Sequence, residues 1–202
     1  MKKDLKEKTE VNEKNEYKHT YKDSLRELVP YIFIIFTVVL IRTFIVTPIK
    51  VNGTSMINTL QHGDTMVLNK IAMKVKDIER FQIVVIKTDD SYLIKRVIGL
   101  PGETLKYEVK ENEDGKITAT LYVNGKAIKE DFIDEETKEL TCKNETELCN
   151  DGIKIPSDHY FVMGDNRGNS IDSRIIGVID RKNIMGTTKL VIFPISDMGI
   201  KE

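Results

Sequence analysis

Cysteine and histidine are scarce in this chain of 202 residues, which has two of the first and three of the second. Cys142 and Cys149 share one loop with no histidine beside it, so that loop offers too few ligands for a metal site. Among the histidines, His19 lies in a charged tail, and neither His62 nor His159 is flanked by a hydrolase motif. A Ser-His-Asp or Cys-His centre is therefore not indicated. An excess of charge is lacking too: 31 basic and 32 acidic residues leave a net charge of -1, and no general attraction to nucleic acid follows. No internal repeat is present, and the length suits one folded unit with attachments.

What is present is unevenly distributed. Residues 1–27 hold eight Lys/Arg and seven Asp/Glu with almost nothing apolar, a composition that predicts a disordered tail. Next comes "LVPYIFIIFTVVLIRTFIV", Leu28 to Val46, nineteen residues interrupted only by two Thr, Pro30 and Arg42. That length of apolar chain predicts a single transmembrane helix over 28–46. Pro30 then falls in its first turn, and Arg42 near the far end can snorkel to the interface. A buried core helix or a cleaved secretory signal are the alternatives; against the second, no small-x-small site follows in "TPIKVNG". Basic residues crowd the N-terminal side, which places the N-terminus in the cytoplasm and residues 47–202 outside.

The exported part reads as mostly β. "DTMVLNKI", "FQIVVIKT", "YLIKRVIG", "TLKYEVK", "ITATLYVNG", "HYFVMG" and "GTTKLVIF" are strand-like runs, and "LPGE" and "VNGK" are turn signals. Residues 104–156 are richer in charge and read as a β-rich cap inserted into the main fold. Both cysteines lie there, on the side assigned to the exterior, so a Cys142–Cys149 disulfide is plausible although spacing does not fix its geometry.

Three segments could carry chemistry. "VNGTSMINTL" (51–60) sets Ser55 after a Gly-Thr turn, where a serine is ordinarily just a turn residue. In "SYLIKRVIGLPGE" (91–103), Lys95 interrupts an apolar strand, with Leu93 and Val97 on its own face and Ile94 and Ile98 on the other. Burial would lower the pKa of that amine and let it act as a general base; an edge lysine snorkelling to solvent is the alternative that the strand alone leaves open. Third, "GDNRGNSIDSR" (164–174) follows the apolar run "YFVM" with a dense polar patch.

Together with the apolar span, "GTSMINTL", "GDTMVLNK", "YLIKRVIGLPGE" and "MGDNRGNSIDSR" resemble, in order, the motifs of the type I signal peptidases. These are membrane-anchored Ser/Lys proteases that remove signal peptides from exported proteins. The resemblance implies a signal-peptidase-like β-fold and no metal or organic cofactor. It implies Ser55 as nucleophile and Lys95 as the base that takes its proton and later activates water. Ser170 would hold the lysine amine by a hydrogen bond. Asp172 and Arg174 would form a supporting ion pair, with Asp165 and Arg96 in structural roles. The polar patch would then orient a buried base.

Substrates would be preproteins cut after a small-x-small site, bound as an added strand with Val51, Met56, Leu60 and Ile94 as candidate pocket walls. As plain sequence these four would be core residues. The lipid bilayer and the protein-export machinery are the implied neighbours, and nucleic acid is not. The short chain and single span resemble enzymes of Gram-positive bacteria.

Two departures from the family pattern stand out. Gly53 occupies the position two before Ser55 where some relatives carry a serine that helps bind the oxyanion, which leaves backbone N–H groups for that task. Asn58 stands where proline is frequent. Two other readings are an anchored binding module that has lost catalysis and a self-cleaving repressor. The first would lack one of Ser55 and Lys95, and the second would need a helix-turn-helix in place of the span.

Overall fold

The computed structural model describes residues 24–89, 91–111, 117–142 and 147–201. Of the tail of residues 1–27, expected to be disordered, residues 1–23 lie outside them, and residues 24–27 are helical instead, as the first turn of the apolar helix. Helix α1 runs over Ser24–Phe44 and forms one compact unit; everything from Ile45 onward forms the other.

Both ends of α1 differ from the span expected over 28–46. The helix begins at Ser24, so Pro30 sits in its second turn and removes the N–H that would bond the carbonyl of Arg26. At the other end Val46 already belongs to strand β1 (Val46–Lys50). Hydropathy could not separate the two elements, because the β-branched start of that strand is as apolar as the helix before it. Pro48, which has no N–H to offer a ladder, is accommodated because β1 lies at the edge of its sheet.

The larger sheet is built from β1, β2 (Thr65–Asn69), β3 (Ile83–Lys87), β4 (Tyr92–Gly99), β9 (His159–Met163), β10 (Ile179–Asp180), β11 (Ile184–Phe193) and β12 (Gly199–Ile200). Its order is β1-β2-β11-β3-β4-β9-β10, antiparallel throughout, with β12 pairing the far end of β11. The second sheet comes from the stretch expected to be inserted: β5 (Thr104–Glu111), β6 (Ile117–Val123), β7 (Lys126–Ile128) and β8 (Ile153–Lys154), in the order β7-β6-β5-β8. Short helices α2 (Ala72–Val75), α3 (Glu135–Glu139), α4 (Glu147–Asn150) and α5 (Ser173–Ile176) fill the connections.

Alternation along the central strands feeds two cores. On β4 and β9, Ile98, Phe161 and Met163 face the second sheet and pack with Leu105, Tyr107 and Leu121. Val97, Tyr160 and Val162 face the other way and pack with Val84, Ile86 and Ile184. Burial on both faces explains why "IVVI" in β3 is apolar throughout rather than alternating. A third core of Val51, Met56, Leu60, Met66, Ile83 and Val191 supports the loop between β1 and β2.

Pairing along β4 is incomplete in a way that matters for the site. Strand β3 bonds it over Tyr92–Arg96, but β9 covers the opposite edge only from Arg96 to Gly99. Among the described residues no strand pairs that edge over Tyr92–Lys95.

A buried polar network joins the second sheet to the segment after β9. The Arg167 guanidinium pairs with Glu130, donates to Tyr107 Oη at 3.0 Å and Thr141 Oγ1 at 3.1 Å, and reaches the carbonyl of Gly164 at 3.1 Å. Tyr107 Oη in turn donates to Glu130 at 2.9 Å, and burial keeps that phenol neutral far above its ordinary range. Thr141 lies beside the disulfide that joins Cys142 and Cys149. Each member satisfies the next, which is the condition for carrying charge in an apolar interior. Glu130→Ala strands the Arg167 charge and is expected to lower unfolding stability by about 3–5 kcal/mol, read from denaturant unfolding of the purified chain; a loss under about 1 kcal/mol would contradict the network's role.

Candidate active site

Ser55 stands at the head of a single helical turn in the β1–β2 loop, where Ile57 N–H bonds the Thr54 carbonyl at 3.2 Å and Leu60 N–H the Met56 carbonyl at 2.7 Å. The turn is entered through Gly53 at φ +107°, a conformation that side-chain-bearing residues avoid. Lys95 lies within β4, opposite Val84, on the stretch whose other edge is unpaired. Its side chain is 2% exposed, and Nζ lies 2.7 Å from Ser55 Oγ. The sequence alone left burial and snorkelling open; the strand turns this amine inward.

Burial is the main reason that the Lys95 pKa falls below that of an ordinary lysine. Asp172 opposes the shift, Arg174 assists it and Asp165 opposes it weakly. Because Asp172 and Arg174 are paired with each other, at 2.9 and 2.8 Å, their fields at the amine partly cancel and desolvation prevails. Burial would raise the Asp172 carboxyl, but Arg174 and the Gly164 N–H at 3.0 Å outweigh it and hold the pKa below the usual carboxylate range.

The segment 164–174 wraps the Ser55 turn. Asn166 N–H donates to the Ser55 carbonyl at 3.0 Å, its side chain to the Thr54 carbonyl at 3.2 Å, and the Asn169 side chain to Thr54 Oγ1 at 3.0 Å. Gly164 must be glycine here, since a Cβ would stand 2.5 Å from the Ser55 carbonyl oxygen. On the opposite face of β4 from Lys95, Arg96 grips Asp165 through two bonds of 2.9 and 2.7 Å and also holds Thr59 Oγ1 at 3.0 Å. Thr59 donates to Asp165 at 2.5 Å, so the far side of the turn is tied to the same ion pair.

Two expectations need correction. Ser170 Oγ is buried and does not bond the lysine amine, which bonds Ser55 instead; it packs on Gly164 and helps to lower the pKa of the Asp172 carboxyl. Leu60 does not line the cleft, because it is 1% exposed and points into the core beneath the loop with Met66 and Val191. Val51, Met56 and Ile94 do line it, in a cavity of about 400 Å³ that holds Ser55 and Lys95 and continues over Ile49, Leu93 and Val85. Among the described residues no group of three His, Cys, Asp or Glu side chains is placed to hold a metal ion.

Thr59, Asn166 and Asn169 were not singled out from the sequence as site residues. The asparagines lie inside the quoted polar patch, where they read as turn formers, and Thr59 lies four residues after Ser55 in the same motif. Their bonds to the turn span more than a hundred residues of sequence in the asparagine cases, a relation no local pattern carries.

A mostly β domain with this serine site, carried behind an apolar helix, defines a serine endopeptidase. The family model described as "Signal peptidase, peptidase S26" matches residues 25–193. Signal peptidase I of Bacillus licheniformis is 39% identical over 183 residues, covering 88% of this chain and 93% of that one. A signal peptidase I of Bacillus amyloliquefaciens is 43% identical over 164 residues, covering 79% of this chain and 80% of its own. The crystal structure of a signal peptidase I from Enterococcus faecalis V583 covers 56% of this chain and 97% of that one, at 29% identity and a TM-score of 0.43. The chain belongs to the signal peptidase family, peptidase S26.

The buried amine makes a stability prediction. Its folded pKa lies below the 10.5 of an unburied lysine, so the unfolded chain holds the proton more tightly. Below the folded pKa the penalty is complete; as pH rises from there toward 10.5 stability is recovered. Lys95→Met removes the penalty, and it is expected to be the more stable protein at neutral pH, with the gap closing in alkali. Parallel urea titrations at two pH values check this, and a gap that widens with pH would contradict it.

Proposed function

We propose that this protein removes signal peptides from exported preproteins after a small-x-small site, with Ser55 as nucleophile and Lys95 as general base. The observation that carries the reading is the 2.7 Å contact between a desolvated amine and a serine hydroxyl in an apolar cleft. With the amine neutral, its lone pair accepts the Ser55 proton as Oγ attacks the scissile carbonyl. The ammonium so formed protonates the leaving amine, and the regenerated amine then draws a proton from the water that hydrolyses the acyl-enzyme. Ser55 N–H donates to no backbone acceptor among the described residues and is available to a developing oxyanion.

Substrate binding follows from edges and walls. The free edge of β4 over Tyr92–Lys95 and the outer edge of β1 offer backbone groups to an extended peptide. Side chains of such a strand alternate, so residues one and three before the cut face the same way, toward Val51, Met56, Ile94 and Ile49. Small residues fit there, and longer ones meet the walls. The family supports preproteins as substrates, and the exposed apolar surface of α1 supports attachment to a bacterial membrane. A cytoplasmic N-terminus, a single pass and a catalytic domain outside, next to the bilayer and the export machinery, complete the proposal; the basic residues before α1 favour that orientation.

Ser55→Ala and Lys95→Ala, in detergent-solubilised full chain with a labelled preprotein, should each cut at least about a thousandfold more slowly than wild type. Retention of cleavage by either variant would falsify the assignment. The pH profile supplies an independent check: kcat/KM should rise along an acid limb set by Lys95 and positioned below 10.5. A limb coinciding with ordinary lysine would argue against a desolvated base.

A further inference from the structure

The loop carrying Ser55 is closed at its base like a short ladder. Val51 N–H bonds the Asp64 carbonyl at 2.7 Å, and Gly63 N–H bonds the Val51 carbonyl at 2.9 Å. The next rung is made by a side chain, since Gly53 N–H donates to Nδ1 of His62 at 3.2 Å. This bond fixes the tautomer: Nδ1 must offer a lone pair, so the ring proton resides on Nε2.

The two flanks of Ser55 are held differently. Asn166 places one bond on the Ser55 carbonyl, and Asn166 and Asn169 place one each on Thr54, the residue just before it. Upstream stands Gly53, at φ +107°, with nothing within 4 Å of where a Cβ would be. A glycine in open space has the widest backbone freedom of any residue. Among the described residues the imidazole provides the one hydrogen bond to its N–H.

We infer that His62 is a positioning residue, which fixes Gly53 at the entry to the nucleophile turn, ahead of the Thr54–Ser55 peptide that Asn166 and Ile57 hold through the Thr54 carbonyl. This inference rests on the proposed role of Ser55. Gly53 has no side chain to offer a developing oxyanion, so the aim of backbone N–H groups decides how well that charge is met. His62 contacts neither Ser55 Oγ nor Lys95 Nζ among the described residues and acts only through Gly53. Because the ring is exposed, its removal perturbs the rate more than the fold.

The test compares His62→Ala with His62→Asn in the full-length chain. The asparagine carbonyl takes the place of Nδ1 as an acceptor. His62→Ala is expected to lower kcat on a labelled preprotein about three- to tenfold, with KM changed less than about twofold and the melting temperature nearly kept. His62→Asn should return kcat to within about twofold of wild type. Amide exchange at Gly53, followed by NMR, should quicken in His62→Ala and recover in His62→Asn. Unchanged kcat in His62→Ala, a loss confined to KM, or failure of His62→Asn to rescue would each overturn the inference. Running the exchange arm in a Ser55→Ala background keeps it separate from the catalytic reading: full cleavage by Ser55→Ala refutes the nucleophile, whereas unaltered Gly53 exchange refutes the strap.

Discussion

A primary amine kept out of water is the constraint around which the domain is arranged. Lys95 is placed on a strand buried on both faces, and each feature around it either removes solvent or balances charge. An isolated carboxylate nearby would draw the amine back to its charged form. The chain instead presents Asp172 already neutralised by Arg174, and turns the Arg96–Asp165 pair to the other face of the strand. Charge is therefore present close to the amine in quantity, yet in pairs whose fields largely cancel.

The same pairs also set geometry. Arg96 and Asp165 grip Thr59 at the end of the Ser55 turn, while Asn166 and Asn169 hold its beginning. Arg167, between those asparagines, runs outward into the buried network with Glu130 and Thr141. Segment 164–174 is thus a junction with one residue facing the serine turn and its neighbour facing the second sheet. Insertion of that sheet between β4 and β9 makes sense on this view: it covers the back of β9 and supplies Glu130 as a counter-charge for the junction.

Much of this was legible from local pattern. The run "YLIKRVIG" coincides with β4, and the mostly β reading follows from such runs and their turns. The interruption of an apolar strand by Lys95 marked the position worth asking about. Elsewhere the signal was lost where one physical property serves two structures. Apolarity alone could not divide α1 from β1, and burial alone could not tell the cleft wall at Met56 from the core at Leu60. Ser170 failed for a different reason, because a hydroxyl's partner depends on a few tenths of an ångström that composition does not encode. The pairing of Glu130 with Arg167 is long-range, and nothing near either residue announces it.

Strand β4 is half enclosed and half bare, and the bare half is the half that ends at Lys95. Backbone bonding is identical for every polypeptide, so a client held mainly through its amides is recognised for being extended rather than for its identity. The side chains of such a strand would meet the walls of the cleft beside that edge, at Val51, Met56 and Ile94. A strand edge left open in this way gives the same anchorage to any extended chain, whatever its side chains.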